Sequence, residues 1–169
     1  MPDVVMVVAP TVFRDEEYAE PKAILEARGS TVTTASVSSG ECVGRFGLKA
    51  VATISVAEAA TRPWDAVIFV GGGGAEVFFD DDAAHALARA QSQSGDVLAA
   101  ICIAPSTLAH AGLLGGVRAT AFPSREADLR ARGAIWTGEP VTIDGRIITG
   151  NGPEAATAFG EAVAQALGI

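Results

Sequence analysis

Apolar and polar positions alternate between two rhythms along the chain. Val4 to Ala9, Ala66 to Val70 and "VLAAI" (97–101) are continuously apolar runs, the pattern of strands buried on both faces. Between them lie segments with helical spacing and helical punctuation. Glu16 to Arg28 is predicted as a helix stopped by Gly29, and "DDDAAHALARAQSQSG" as a helix with Asp at its start and Gly95 at its end. Ala104–Ala111, Arg125–Arg132 and an amphipathic segment over Glu154–Leu167 are predicted as further helices, with a short one at Val56–Ala60. Thr31–Val37 reads as a second strand, residues 38–47 as a Gly- and Ser-rich loop, and Leu48–Ala52 as a short strand. "VRATAF", "AIWT", "EPVTID" and "RIITG" are β segments, and the "DG" between the last two predicts a hairpin, expected to run antiparallel to the main sheet. Strands separated by helices imply βαβ units on a parallel sheet.

Length and charge narrow this picture. A chain of 169 residues is read as one domain, residues 1–169, and 49% hydrophobic residues argue for a folded core. The net charge is −8 with the basic residues scattered, so neither nucleic acid nor an anionic membrane is expected as a partner. No apolar stretch has the length of a membrane span, and the apolar N-terminus lacks the basic flank and cleavage site of a signal peptide. Two cysteines, Cys42 and Cys102, make no disulfide framework, which fits a reducing, cytoplasmic setting. Cys42 carries no assignment.

Open parallel sheets place their sites beyond the carboxyl ends of the strands, and three features collect there. Cys102 follows "VLAAI" and precedes Pro105 and a helix, the position of a strained turn that exposes a nucleophile; the helix start is expected to favour its thiolate. The same cysteine also suits plain packing. The acidic turn "FRDEEYAEP" offers Asp15, Glu16, Glu17 and Glu20; one of them turned inward would exchange a proton or hydrogen bond with the thiol, and spacing does not choose among them. The run Gly71–Gly74 suits either an oxyanion hole or a phosphate cradle, without a nucleotide-binding fingerprint. His110 lies eight residues past Cys102, ~12 Å along a helix, and His85 is placed on a helix surface, so no Cys–His pair is expected within the subunit. No His/Cys cluster suggests a metal.

Taken together and in order, these pieces resemble the ThiJ/PfpI superfamily over almost the whole chain. "AAICIAP" is similar to its nucleophile elbow, "DAVIFVGG" to its strand and Gly pair with Val70 where proline is usual, "FRDEEYAEP" to its acidic turn, "GRFGLKAV" to the segment after its second strand, and "ITGNGPEAATAFGEAVAQAL" to its closing helix. The resemblance implies a flavodoxin-like α/β fold: a three-layer sandwich with a mainly parallel central sheet and a small antiparallel hairpin. It implies Cys102 as the reactive thiol, Glu17 as the carboxyl that meets it, and Gly71, Gly72 and Ile103 as oxyanion or binding groups. It further implies no metal or organic cofactor, a small-molecule substrate or oxidant, and a homodimer or higher oligomer. Two departures bear on activity. Ile103 stands where the peptidase branch has His, and Phe122 where a glyoxalase-like branch has His before Pro123. Peptidase activity is therefore disfavoured. The expected function is Cys–Glu chemistry on small electrophilic carbonyls, glyoxalase-like or deglycase-like; the alternatives are a redox sensor or stress chaperone, and an inert binding domain.

Overall fold

A computed structural model describes residues 1–169. Its strands are, in chain order, β1 (Asp3–Val7), β2 (Thr11–Phe13), β3 (Thr31–Ser36), β4 (Gly40–Gly44), β5 (Lys49–Ala52), β6 (Ile54–Ser55), β7 (Ala66–Phe69), β8 (Val97–Ile101), β9 (Arg118–Ala119), β10 (Ile135–Trp136), β11 (Val141–Asp144) and β12 (Ile147–Gly150). The helices are α1 (Asp15–Ala27), α2 (Val56–Ala59), α3 (Asp82–Ser94), α4 (Pro105–His110), α5 (Glu126–Ala131) and α6 (Ala156–Ala166).

Seven strands form the central sheet in the order β11-β12-β8-β7-β1-β3-β6. Successive side chains of a strand face opposite ways, and here both faces are covered. Val5, Val7, Val67, Phe69, Leu98 and Ala100 share one core with Leu87 of α3, Leu108 of α4 and Leu129 of α5. Met6, Val8, Ile68, Val70, Ala99 and Ile101 share the other with Leu25 of α1 and Phe159 and Val163 of α6. This explains the unbroken apolar runs and gives the expected three layers. Gly160 of α6 lets the two helices of the second layer touch: a Cβ there would come within 2.9 Å of Pro21 Cα. No helix is long and apolar enough to cross a membrane.

Three expectations change. The stretch 38–47 is not all loop, because β4 pairs antiparallel with β5 and parallel with β2. Inward Cys42 and Ala50 line that small sheet, so Cys42 is core, not surface. "VRATAF" gives only the two residues of β9, which pair parallel with β10 as a separate ribbon. Only β11 runs antiparallel in the main sheet. β12 runs parallel to β8, Ile147 opposite Leu98 through Gly150 opposite Ile101, which brings Gly150 to the edge where Cys102 lies.

The first core layer is tied at its rim by His110. Its Nδ1 lies 2.7 Å from Asp80 and its Nε2 2.9 Å from Asp128, joining α4 to the start of α3 and to α5; Arg125 reaches the same Asp128 at 3.0 Å. His110→Ala is expected to cost about 1 kcal/mol in urea denaturation, through the lost contact to the half-buried Asp128, since Asp80 is open to solvent. An unchanged midpoint would show the contacts to be incidental.

Candidate active site

β8 ends at Ile101, and the chain turns sharply at Cys102, whose φ is 64°. A residue with a Cβ pays roughly 1–2 kcal/mol for this left-handed conformation. Two main-chain bonds impose it: Cys102 N–H donates to the Gly150 carbonyl at 2.9 Å, and the Cys102 carbonyl accepts from Phe122 N–H at 2.7 Å. Pro105 opens α4 one turn later. The elbow read from the sequence is present, and Cys102 is only 8% exposed.

The glycines pack against this turn. A Cβ on Gly71 would lie 2.4 Å from Glu17 Oε1 and 2.5 Å from Cys102 Cβ. Gly72, at φ 95°, passes so close to the acidic turn that a Cβ would meet Arg14 N at 2.3 Å, and Gly74 passes as near to the Thr11 carbonyl. The run is thus pressed onto residues 11–14 and does not open into a phosphate cradle. The main-chain N–H groups of Gly72 and Ile103 both bear on the Cys102 sulfur.

Of the four acidic residues, Glu17 is the one turned inward. It is 0% exposed, and neither carboxyl oxygen makes a well-formed hydrogen bond. Its neighbours are the Cys102 thiol and the Gly71 main chain. The others are occupied elsewhere. Asp15 accepts from the N–H groups of Phe46 and Leu48 and pins the β4–β5 turn; Glu16 pairs with Arg14; Glu20 accepts from Thr157. A signal for Glu17 was available in the sequence: it stands four residues before Pro21 and eight before Leu25, on the stripe that α1 buries.

Burial pushes the Glu17 carboxyl up to about 8, against the opposing pull of the Cys102 thiol and the Arg14 charge. Burial also pushes the Cys102 thiol up to about 12; the Glu17 charge adds to this, and the Gly72 and Ile103 N–H groups oppose it. The expected lowering by the helix start is therefore overturned. α4 has only six residues, and desolvation of the thiolate outweighs its small dipole. The two groups titrate as a pair, and the carboxyl is the first to ionise.

Neither histidine joins them. His110 is held by its two aspartates, and His85 is not on the surface as expected but buried, with Nε2 2.6 Å from the Phe79 carbonyl. No three metal-ligating side chains come together. A cleft of about 250 Å³, lined by Phe122, Asn151, Gly152 and Glu154, borders the elbow at Phe122, whose N–H holds the Cys102 carbonyl. Arg14, to which the sequence reading gave no role, stands beside Gly71 and Gly72.

The sequence and the fold are shared with known proteins. An uncharacterized protein of Methanocaldococcus jannaschii is 37% identical over 167 residues, 97% of this chain and 82% of that one. A deglycase of Pyrococcus abyssi is 28% identical over 149 residues, 88% of this chain and 90% of that one. The crystal structure of a ThiJ/PfpI domain protein from Brachyspira murdochii superposes with a TM-score of 0.94 at 30% identity, over 98% of this chain and 96% of that one. The family pattern described as DJ-1/PfpI matches residues 3–166, and the chain belongs to the DJ-1/PfpI family.

Proposed function

We propose that the protein is a cysteine-dependent enzyme that converts small electrophilic carbonyl compounds, in the manner of a glyoxalase or deglycase. The observation that carries this reading is the strained, buried Cys102 with the buried Glu17 carboxyl and the glycine run packed against its turn. Deglycase relatives such as that of Pyrococcus abyssi support the substrate class. Glu17, in its ionised form, takes the thiol proton as the sulfur adds to an aldehyde carbon. The oxyanion so formed sits at the Gly72 and Ile103 N–H groups. Protonated Glu17 supplies the oxyanion's proton, and its carboxylate then moves the aldehyde hydrogen, as a proton, to the neighbouring carbonyl carbon through an enediol. This leaves a thioester on Cys102. Water hydrolyses it, so a 2-oxoaldehyde plus one water gives a 2-hydroxy acid and the free thiol. A carboxyl titrating near 8 is matched to both roles at neutral pH.

Cys102→Ala is expected to reduce methylglyoxal consumption by about a thousandfold or more. Turnover unchanged in that variant overturns the reading. Peptide hydrolysis fits less well, because both histidines are engaged with other partners and neither meets Cys102.

A further inference from the structure

Four hydrogen bonds close a ring that leaves the elbow at Cys102 and returns to it at Ile103. Phe122 N–H donates to the Cys102 carbonyl at 2.7 Å, and Arg125 N–H donates to the Phe122 carbonyl at 2.8 Å. Pro123 between them keeps Phe122 extended, at φ −56° and ψ 138°. The Arg125 side chain then turns back to α4, and its Nε donates to the Ser106 hydroxyl at 2.8 Å. Ser106 is fully buried, and its own N–H donates to the Ile103 carbonyl at 3.1 Å. The guanidinium is held as well. Its terminal nitrogen donates to Asp128 at 3.0 Å, and the group lies 4.7 Å over the Phe79 ring. α4 has no side-chain cap of its own, since Ala104 stands at its start. Arg125 therefore supplies from outside a hold on the first turn that the helix lacks.

We propose that Arg125 is a positioning residue that, through this ring, aims the Ile103 N–H at the place where the oxyanion forms. The Cys102 carbonyl and the Ile103 N–H belong to one peptide unit. That unit is planar and trans, so the two groups point in opposite directions. A carbonyl pinned by Phe122 therefore sets the direction of the N–H. Cys102 sits at φ 64°, a conformation that a residue with a Cβ leaves downhill once the pin is loosened. The oxyanion role of Ile103 rests on the function proposed above; the hold of the ring on the Cys102–Ile103 peptide does not.

The test joins amide hydrogen exchange, read residue by residue by NMR on the full chain, to methylglyoxal kinetics. Arg125→Met keeps the apolar stem and removes every donor. Ser106→Ala removes only the acceptor, and carries the test if Arg125→Met fails to fold. In each, exchange of the Phe122 amide is expected to quicken about tenfold, the worth of one hydrogen bond, while the amides of Val67–Phe69 in β7 hold. The double variant should be no worse than the worse single one, because both break the same ring. Turnover should lose about tenfold or more in kcat with KM kept, since the oxyanion exists only beyond the ground state. Arg130→Gln, which opens an exposed pair with Glu126 on the same helix, should change neither readout. Unchanged Phe122 exchange in Arg125→Met and Ser106→Ala overturns the inference. So does quickening that spreads equally to β7, or quickening at Phe122 with kcat intact. Quickening at Phe122 in a protein whose wild type turns over no methylglyoxal leaves the ring standing and removes the enzyme.

Discussion

Glu17→Gln yields a protein that is more stable above neutral pH and nearly inactive. The buried carboxyl titrates near 8 in the folded chain, against 4.5 for a free one, because burial penalises its charge. Between those values the unfolded chain has lost a proton that the native state keeps. Stability therefore falls as pH rises from about 4.5 to about 8 and levels off above. The full span is on the order of 3–5 kcal/mol, at 1.36 kcal/mol per unit. Gln occupies the same space without a charge to bury, so its variant lacks that slope. Urea denaturation of both proteins across this range tests it, and parallel pH profiles would remove the argument. The same group sets activity in the proposed mechanism. Wild-type kcat/KM should climb with a midpoint near 8 as the base form appears, and the variant should lose that limb and about a thousandfold in rate. Opposite signs for stability and activity in one substitution mark a residue kept for chemistry.

The same balance explains what was legible in the sequence. The apolar runs 4–9, 66–70 and 97–101 report a sheet covered on both faces, and they hold because burial dominates each position in them. Cys102 was legible because a strand, a small-residue turn and Pro105 describe an elbow locally. β2 and β4 were not, since each is held by partners distant in sequence: Thr11 pairs with Val43, and Gly40 with Ala52. The direction of β12 also depends on a long-range fact, its pairing with β8. The thiol's electrostatics were misjudged for a related reason. The local helix start is visible in sequence, whereas the burial that outweighs it is supplied by Glu17 from α1 and by the glycines after β7. Arg14 went unassigned because its surroundings, Phe46 and the Gly71 carbonyl, come from two other parts of the chain.

Two adjacent glycines should separate sharply when each is changed to Ala. At Gly72 the new Cβ would lie 2.3 Å from Arg14 N and 2.7 Å from the Phe13 carbonyl carbon, with φ at 95°. The obstacles are main chain, which cannot rotate away, and the backbone conformation itself excludes a side chain. At Gly73 the nearest atom is Val12 Cγ1 at 3.8 Å, an ordinary contact, and its φ is not in the left-handed region. Gly72→Ala is therefore expected to cost about 3–5 kcal/mol, and Gly73→Ala to stay within about 1 kcal/mol of wild type. Thermal or urea unfolding of the pair reads this directly. The functional consequence follows from the same geometry. Any relief at position 72 must move either the acidic turn that carries Glu17 or the N–H that bears on the Cys102 sulfur. Whatever fraction of Gly72→Ala folds should be impaired at Cys102, both in alkylation rate and in turnover, while Gly73→Ala keeps both. Equal stabilities for the two variants would mean that the glycine run is not pressed against residues 11–14, and the oxyanion role given to Gly72 would fall with it.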